Sequence, residues 1–412
     1  MRIAIFAETF LPKLDGIANT LCHLLDYLQE QGHRALLFCP RGAPDTYAGT
    51  RVIGLPAMAF PFYRDLRLVP PVVSVSNELR AFDPDLIHLV NPASLGLVGM
   101  GEAARRGVPV VASYHTDLPG YTHQYGMPFM EGPMWSYLRF VHNSADLNLA
   151  PSQFTRQQLL AHGFKRVRIW GRGVDTERFD PAQRSLAWRE RLSEGQCERP
   201  LLLYVGRLAT EKRVDWLRPV LDANPEARLA IVGDGPEREH LERVFAGTDT
   251  VFTGFLTGHD LASAYASSDL FVFPSPTETL GNVVLEAMAS GLTVVAPNSG
   301  GPLDHVRDGE NGYLFDSTNK VDLINIVTSL VAGQGYTRWL GARARQYACT
   351  QTWDKVFGRL MADYRWSLAY RRRVARQRRL RGGWSQITML VQNARNDLRK
   401  QHEQVTSHPG YE

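Results

Sequence analysis

An α/β fold of two Rossmann-like domains facing each other across a cleft, with a C-terminal helical extension, is what this sequence predicts. Three observations lead there. Short β-rich apolar runs alternate with helical patterns from the first residue, which is the βαβ rhythm of a parallel sheet covered on both faces. The rhythm pauses over 171–200, a polar stretch holding Gly171, Gly173, Pro181 and Gly195, and then restarts. The chain's 412 residues also exceed what a single hydrophobic core usually serves.

In order, "RIAIFA" reads as a strand, "NTLCHLLDYLQEQG" as a helix and "RALLFCP" as the next strand. "PDLIHLV", "VPVVASY" and "ADLNLAPS" follow as strands with helical spacing between them. These make an N-terminal domain over 1–175. After the pause, "PLLLYVGR", "RLAIVGDG", "TVFTGF", "DLFVFPS" and "TVVAP" are the strands of a second domain over 198–350. A helical stretch, "WDKVFGRLMADYRWSLAY", opens a C-terminal extension over 351–404, and 405–412 reads as a flexible tail. Ligands of open parallel sheets bind beyond the carboxyl ends of the strands. Two such sheets facing each other therefore place the chemistry in the cleft between them.

Composition narrows the class. Apolar content of 44% and charged content of 21% suit a soluble globular protein. Cys22, Cys39, Cys197 and Cys349 form no CxxC pair, which argues against a disulfide framework or zinc site and fits a reducing cytosol. The first residues read as a strand rather than a signal peptide. No apolar run approaches the length of a membrane span. Net charge is +4, yet residues 365–381 alone hold eight arginines and no acid, so a mildly acidic body carries one basic stripe. That stripe, Arg371, Arg372, Arg373, Arg376, Arg378, Arg379 and Arg381 above all, is either a solvated helix face or a contact for an anionic surface. Trp366, Tyr370 and Trp384 flank it, and aromatic residues beside arginines favour a lipid interface. No recognised nucleic-acid module accompanies it, so nucleic acid is not expected as a partner.

The residues that could carry chemistry follow strands. Arg207 and Lys212, five apart after "LLLYVG", are placed at the start of a probable helix, where both could meet phosphate; a surface pair answering Glu211 and Asp215 is the plainer alternative. "VGDGP" reads as a structural turn. Gly16 stands where the first strand hands over to the first helix, so its backbone could approach a phosphate. "PTETLGNVVLEAMASG", residues 276–291, puts Glu278 in the loop before a helix closed by Gly291. Gly281 and Asn282 then present amides at the positive helix end. Glu286, about one turn inside an otherwise apolar face, needs a partner, and the vicinal hydroxyls of a ribose would provide one. "DPD" at 83–85 precedes a strand and reads as structural.

Taken together, "PTETLGNVVLEAMASGLTVVA", "VGRLATEK", "VGDGP" and "DGENGYLF" resemble the signature of retaining glycosyltransferases of family four, which have the GT-B fold. The resemblance covers nearly residues 1–365. It implies that Glu278 holds the transferred sugar's hydroxyls and Glu286 the ribose. Leu280, Gly281 and Asn282 would line the donor, and Arg207 and Lys212 would neutralise the leaving diphosphate. Gly16 would close on it from the other domain, although this loop has Asp15-Gly16 where the family has two glycines. "VVASYHTDLPGYTHQYG" is similar to the segment whose histidine faces the reacting sugar, which makes His115 catalytic beside Glu278, Arg207 and Lys212; Asp117 and His123 are read as structural or acceptor-side. No metal is expected.

"SYHTDLP" and "WGRGVDTERFDP" look most like the branch that glycosylates lipids, the sulfoquinovosyl- and glucosyl-type diacylglycerol transferases and related GDP-mannose-dependent mannosyltransferases. The expectation is a hexosyltransferase that uses a nucleotide-sugar, UDP-sugar favoured, and a lipid acceptor, peripheral on the inner face of the cytoplasmic membrane. The alternatives are a GDP-mannose-dependent enzyme, a soluble transferase building a polysaccharide or glycoside, and a sugar-nucleotide sensor without turnover. The stretch 57–71, with Arg64 and Arg67 among aromatics, reads equally as a lipid-acceptor border or a packed loop.

Overall fold

The computed structural model describes residues 1–13, 16–60, 63–68, 73–124, 126–276, 278 and 281–377, with 59–60, 63–68, 73, 121, 123 and 124 described by backbone only. Leu280, Asp15, Arg378, Arg379, Arg381, Trp384, the rest of the extension to 404 and the tail 405–412 lie outside the described residues.

The first domain is built on an eight-stranded sheet. Its order is Val167–Ile169, Leu147–Ala150, Val110–Ser113, Leu86–Val90, Arg2–Ala7, Arg34–Pro40, Thr50–Leu55 and Thr46–Tyr47. Only the last pairing is antiparallel. Side chains on both faces of the central strands are buried, as the continuous apolar runs require. The second domain carries a six-stranded parallel sheet ordered Thr250–Gly254, Arg228–Val232, Leu201–Val205, Leu270–Val272, Thr293–Pro297 and Tyr313–Phe315. Strand order reverses between Leu201–Val205 and Leu270–Val272, and such a reversal opens the crevice used by ligands.

Three features go beyond the sequence reading. Thr50–Leu55 and Tyr313–Phe315 extend the two sheets, and Met58–Phe60 pairs with Tyr63–Leu68 as a hairpin within the stretch 57–71. The polar pause contains a helix, Leu186–Ser193, whose first turn is capped by Ser185 Oγ accepting from Trp188 N at 3.4 Å. Residues 353–377 are helical and return to the first domain: Val356, Phe357, Leu360, Met361 and Tyr364 share a core with Ile3, Leu21, Leu86 and Leu147. Over its described part, the C-terminal extension is thus a component of the N-terminal domain. The chain crosses between the domains twice, and the crossings pair where Val174 N donates to Gln351 O at 2.9 Å.

"DPD" is structural: Asp85 Oδ2 accepts from Arg2 N at 2.7 Å and Asp83 pairs with Arg2 at 2.9 Å. No described helix is long and apolar enough to cross a membrane.

Candidate active site

A cleft of about 620 Å³ opens between the domains. Gly16, Asn19 and His23 line it from the first domain, and Arg207, Asn282 and Glu286 from the second. Arg207 follows the strand Leu201–Val205, and Glu278 follows Leu270–Val272, so the two flank the reversal of strand order.

Glu278 accepts from two donors. Lys212 Nζ lies 3.1 Å from Oε2, and Gly281 N donates to Oε1 at 3.3 Å. Both charged side chains are mostly enclosed, 18% and 19% exposed, so the pair is less screened than a surface one. Lys212 therefore answers Glu278, not Glu211 or Asp215. The helix expected around Arg207 and Lys212 is absent at that point. Lys212 closes a 3₁₀ turn, Thr210–Lys212, and Arg213 adopts a left-handed backbone, φ 51°, that ends it; the helix begins only at Leu217. Arg207 lines the cleft from a loop and pairs with no carboxylate among the described residues.

The helix Asn282–Ala289 begins as the sequence predicts. Its cap is Gly281, at φ 71°, a conformation open to glycine at little cost. Asn282 faces the cleft, and its side-chain Oδ1 is buried without a hydrogen-bond partner. Glu286 reaches the cleft wall one turn further in. Its carboxyl is pushed up to about 7, chiefly because burial penalises the charged form, while the Tyr265 hydroxyl donating at 3.1 Å partly offsets this. Tyr265, 21 residues upstream, is a partner of Glu286 that its own stretch of sequence does not announce.

His115 lies deeper. Its Nε2 is 2.9 Å from Ser113 Oγ and its Nδ1 is 3.0 Å from Arg172 Nη2. A guanidinium only donates, so Nδ1 accepts and the ring proton sits on Nε2. Burial, then the positive charge of Arg172, hold the ring's pKa well below the usual histidine range. Both ring nitrogens are thereby used inside the protein, and His115 does not line the cleft. The chain of contacts continues: His88 Nε2 to Ser113 Oγ at 3.0 Å, and Tyr364 OH to His88 Nδ1 at 2.8 Å. All these groups are buried.

Arg172 is the other residue that sequence reasoning missed. It is 1% exposed, and its Nε and Nη1 have no partner. Burial lowers its pKa to about 9, and the negative charge of Glu278 is what opposes that shift. The available signal was an arginine between two glycines, "GRG", at the start of the interdomain pause. Asp117 is structural: Oδ1 accepts from Gly120 N at 3.1 Å and from Tyr114 OH at 3.2 Å. The side chain of His123 lies outside the described atoms.

Arg207, the start of the helix Asn282–Ala289 and the Glu286 carboxyl share one cleft. It suits a ligand with a diphosphate between two polyhydroxyl groups. Residues 14–178 match the family described as Glycosyltransferase Family 4, and residues 199–332 match Glycosyl transferases group 1. The GDP-mannose-dependent alpha-mannosyltransferase of Mycolicibacterium smegmatis is 41% identical over 371 residues, 88% of this chain and 97% of its own. Sulfoquinovosyl transferase SQD2 of Arabidopsis thaliana is 39% identical over 364 residues, 85% of this chain and 71% of its own. Among solved structures, sucrose-phosphate synthase from Thermosynechococcus elongatus shares the fold, with a TM-score of 0.72 over 89% of this chain and 99% of that one at 21% identity.

Proposed function

The chain belongs to glycosyltransferase family 4, and on that premise we propose that it moves a hexose from a nucleoside-diphosphate sugar to a lipid acceptor such as diacylglycerol, with retention of configuration. The observation that carries the donor side is Glu278, held by Lys212 and Gly281 N just ahead of the helix that presents Glu286 to the cleft.

In this reading Glu286 accepts from the ribose hydroxyls and Glu278 from hydroxyls of the hexose. Gly281 and Asn282, with Leu280 before them, give backbone amides to the diphosphate, and Gly16 approaches it from the opposite wall. As the bond from the anomeric carbon to the phosphate oxygen breaks, charge grows on that oxygen, and Arg207 and Lys212 stabilise it. The acceptor hydroxyl attacks from the face the diphosphate leaves, and the departing phosphate oxygen takes its proton. His115 and Arg172 stiffen the wall behind the hexose. Protein cations carry the phosphate charge, so no metal is required.

The lipid acceptor is supported by the basic stripe. Arg371, Arg372, Arg373 and Arg376 lie on the described helix, while Arg378, Arg379 and Arg381 lie beyond the described residues. Each basic residue near an anionic leaflet contributes about 1 kcal/mol, which would place the enzyme on the inner face of the cytoplasmic membrane. The donor is read as a UDP-sugar. The second reading, GDP-mannose, is favoured by the mycolicibacterial relative, whose name specifies that donor.

The test is incubation with anionic liposomes containing diacylglycerol and, separately, radiolabelled UDP-glucose, UDP-glucuronate and GDP-mannose. Label should enter the organic phase with one donor and vanish with Glu278→Ala. Transfer only to water-soluble acceptors, indifferent to liposomes, would refute the lipid assignment.

A further inference from the structure

The helix Glu131–Ser144 buries Leu138, Val141 and His142 against the first domain. Its opposite face is the unusual one. Phe140 is 68% exposed, and Phe129, in the 3₁₀ turn that leads into the helix, is 73% exposed. Met130 and Pro133 are exposed between them. Large aromatic side chains left in water at both ends of one helix face are costly unless something covers them.

The two ends differ in what surrounds them. The Phe129 end follows in the chain from the short helix Leu118–Gln124. At the Phe140 end the surface turns basic. Arg139 and Lys165 are exposed there. Asn143 receives Lys165 N on Oδ1 at 2.8 Å and gives Nδ2 to Gly163 O at 3.0 Å, which joins the exposed Leu160 to the same surface. Arg166 donates to Asn143 O at 3.0 Å and lies over the Tyr370 ring, 5.8 Å from its centre. Tyr370 begins the arginine run.

The nearby acids are already engaged: Asp146 accepts from Arg371 at 3.4 Å, and Asp363 from Arg168 at 2.6 Å. Arg372, Arg373 and Arg376 pair with no carboxylate among the described residues. Glu131, half-buried at the far end, is the single acid on the helix.

An aromatic-ended face flanked by unpaired arginines is complementary to a negatively charged lipid surface, where the rings enter the headgroup boundary and the arginines meet phosphates. We propose that the face from Phe129 to Phe140 lies flat on an anionic bilayer, with Arg372, Arg373 and Arg376 against the headgroups. The two rings are roughly 16 Å apart along the helix, so contact at both ends sets its axis parallel to the membrane. The first domain is then held against the bilayer, the phase that carries a lipid acceptor. This deepens the reading of a lipid acceptor and rests on it for the purpose of that orientation.

The experiment is co-sedimentation of the full chain with vesicles of phosphatidylcholine alone or with phosphatidylglycerol added, across a salt series. The wild type should bind the anionic vesicles. The double variant F129S/F140S should bind at least tenfold more weakly at every salt concentration, and R372E/R373E should flatten the salt dependence. UDP and GDP affinities of the Phe variant should equal those of the wild type, which shows that it is folded. Wild-type partitioning by F129S/F140S would overturn the proposal. So would a wild type that ignores vesicles, or one that instead forms a dimer abolished by F129S/F140S. Phe-dependent vesicle binding with no sugar transferred to any lipid would sink the lipid-acceptor reading and leave the docking face standing.

Discussion

Replacing Glu286 by glutamine should stabilise the protein while weakening its grip on the donor. Burial holds this carboxyl at about 7 against an ordinary 4.5. Each pH interval of one between those values corresponds to about 1.4 kcal/mol, so keeping the group ionised in the folded protein costs about 3 kcal/mol. The sign follows from the direction. The folded state binds the proton more tightly than the unfolded one, so wild-type stability is greatest below about 4.5 and is lost as pH rises through about 7. Glutamine does not titrate and keeps a group that can meet the Tyr265 hydroxyl. Glu286→Gln should therefore exceed the wild type by about 1 kcal/mol at pH 5 and about 3 kcal/mol at pH 8. The larger value is about 9 °C in the melting of a domain this size. Calorimetry at the two pH values measures it. Nucleotide affinity should meanwhile fall about 10–100-fold, the worth of a charged hydrogen-bond acceptor. A stability difference independent of pH would refute the burial argument, and unchanged nucleotide affinity would refute the ribose assignment.

Lys212→Met removes the cation 3.1 Å from Glu278; kcat/KM should drop about 100-fold or more, and a change in KM alone would contradict a role in stabilising the leaving group. Gly300→Ala places a Cβ against the carbonyl oxygen of Glu278 in a backbone at φ 70°, so activity should fall sharply while circular dichroism stays native. Tyr364→Phe strands the buried Nδ1 of His88. It should lower stability by about 1–3 kcal/mol in urea titration and leave UDP and GDP affinity unchanged.

What could be read from the sequence was what local pattern controls. The paired glutamates announced a helix start because glycine, asparagine and the apolar spacing occupy adjacent positions, and the strands bordering the cleft were continuous apolar runs. What could not be read was partnership at a distance. Lys212 and Glu278 are 66 residues apart, and nothing in either stretch says that they meet. Tyr265 and Glu286 are 21 residues apart, and neither stretch says that they meet. Arg172 carries no periodic signal, since a single cation between glycines looks like any loop residue. The strand Tyr313–Phe315 is too short to alternate, and Thr50–Leu55 is broken by Gly54. The C-terminal helix was legible as a helix, but an amphipathic face does not say which core it covers.

That helix also anchors the buried contacts that end on Arg172. Starting from Arg172, the contacts run through His115, Ser113 and His88 to Tyr364. From Tyr364 the helix leads back to Trp353, against which Gly173 packs so tightly that a Cβ there would lie 2.6 Å from the Trp353 backbone. Gly173 is the neighbour of Arg172, so the circuit closes at the interdomain crossing. Arg172 is therefore held from the first domain through Nη2 on His115, although the charge that opposes its burial, Glu278, belongs to the second. Cation and anion are each held by their own domain, one through His115 and the other through Lys212 and Gly281. Neither reaches the other directly, so the attraction between them acts across the domain boundary. A buried, unneutralised charge costs stability within its own domain. The Glu278 carboxylate, on the second domain, opposes that cost.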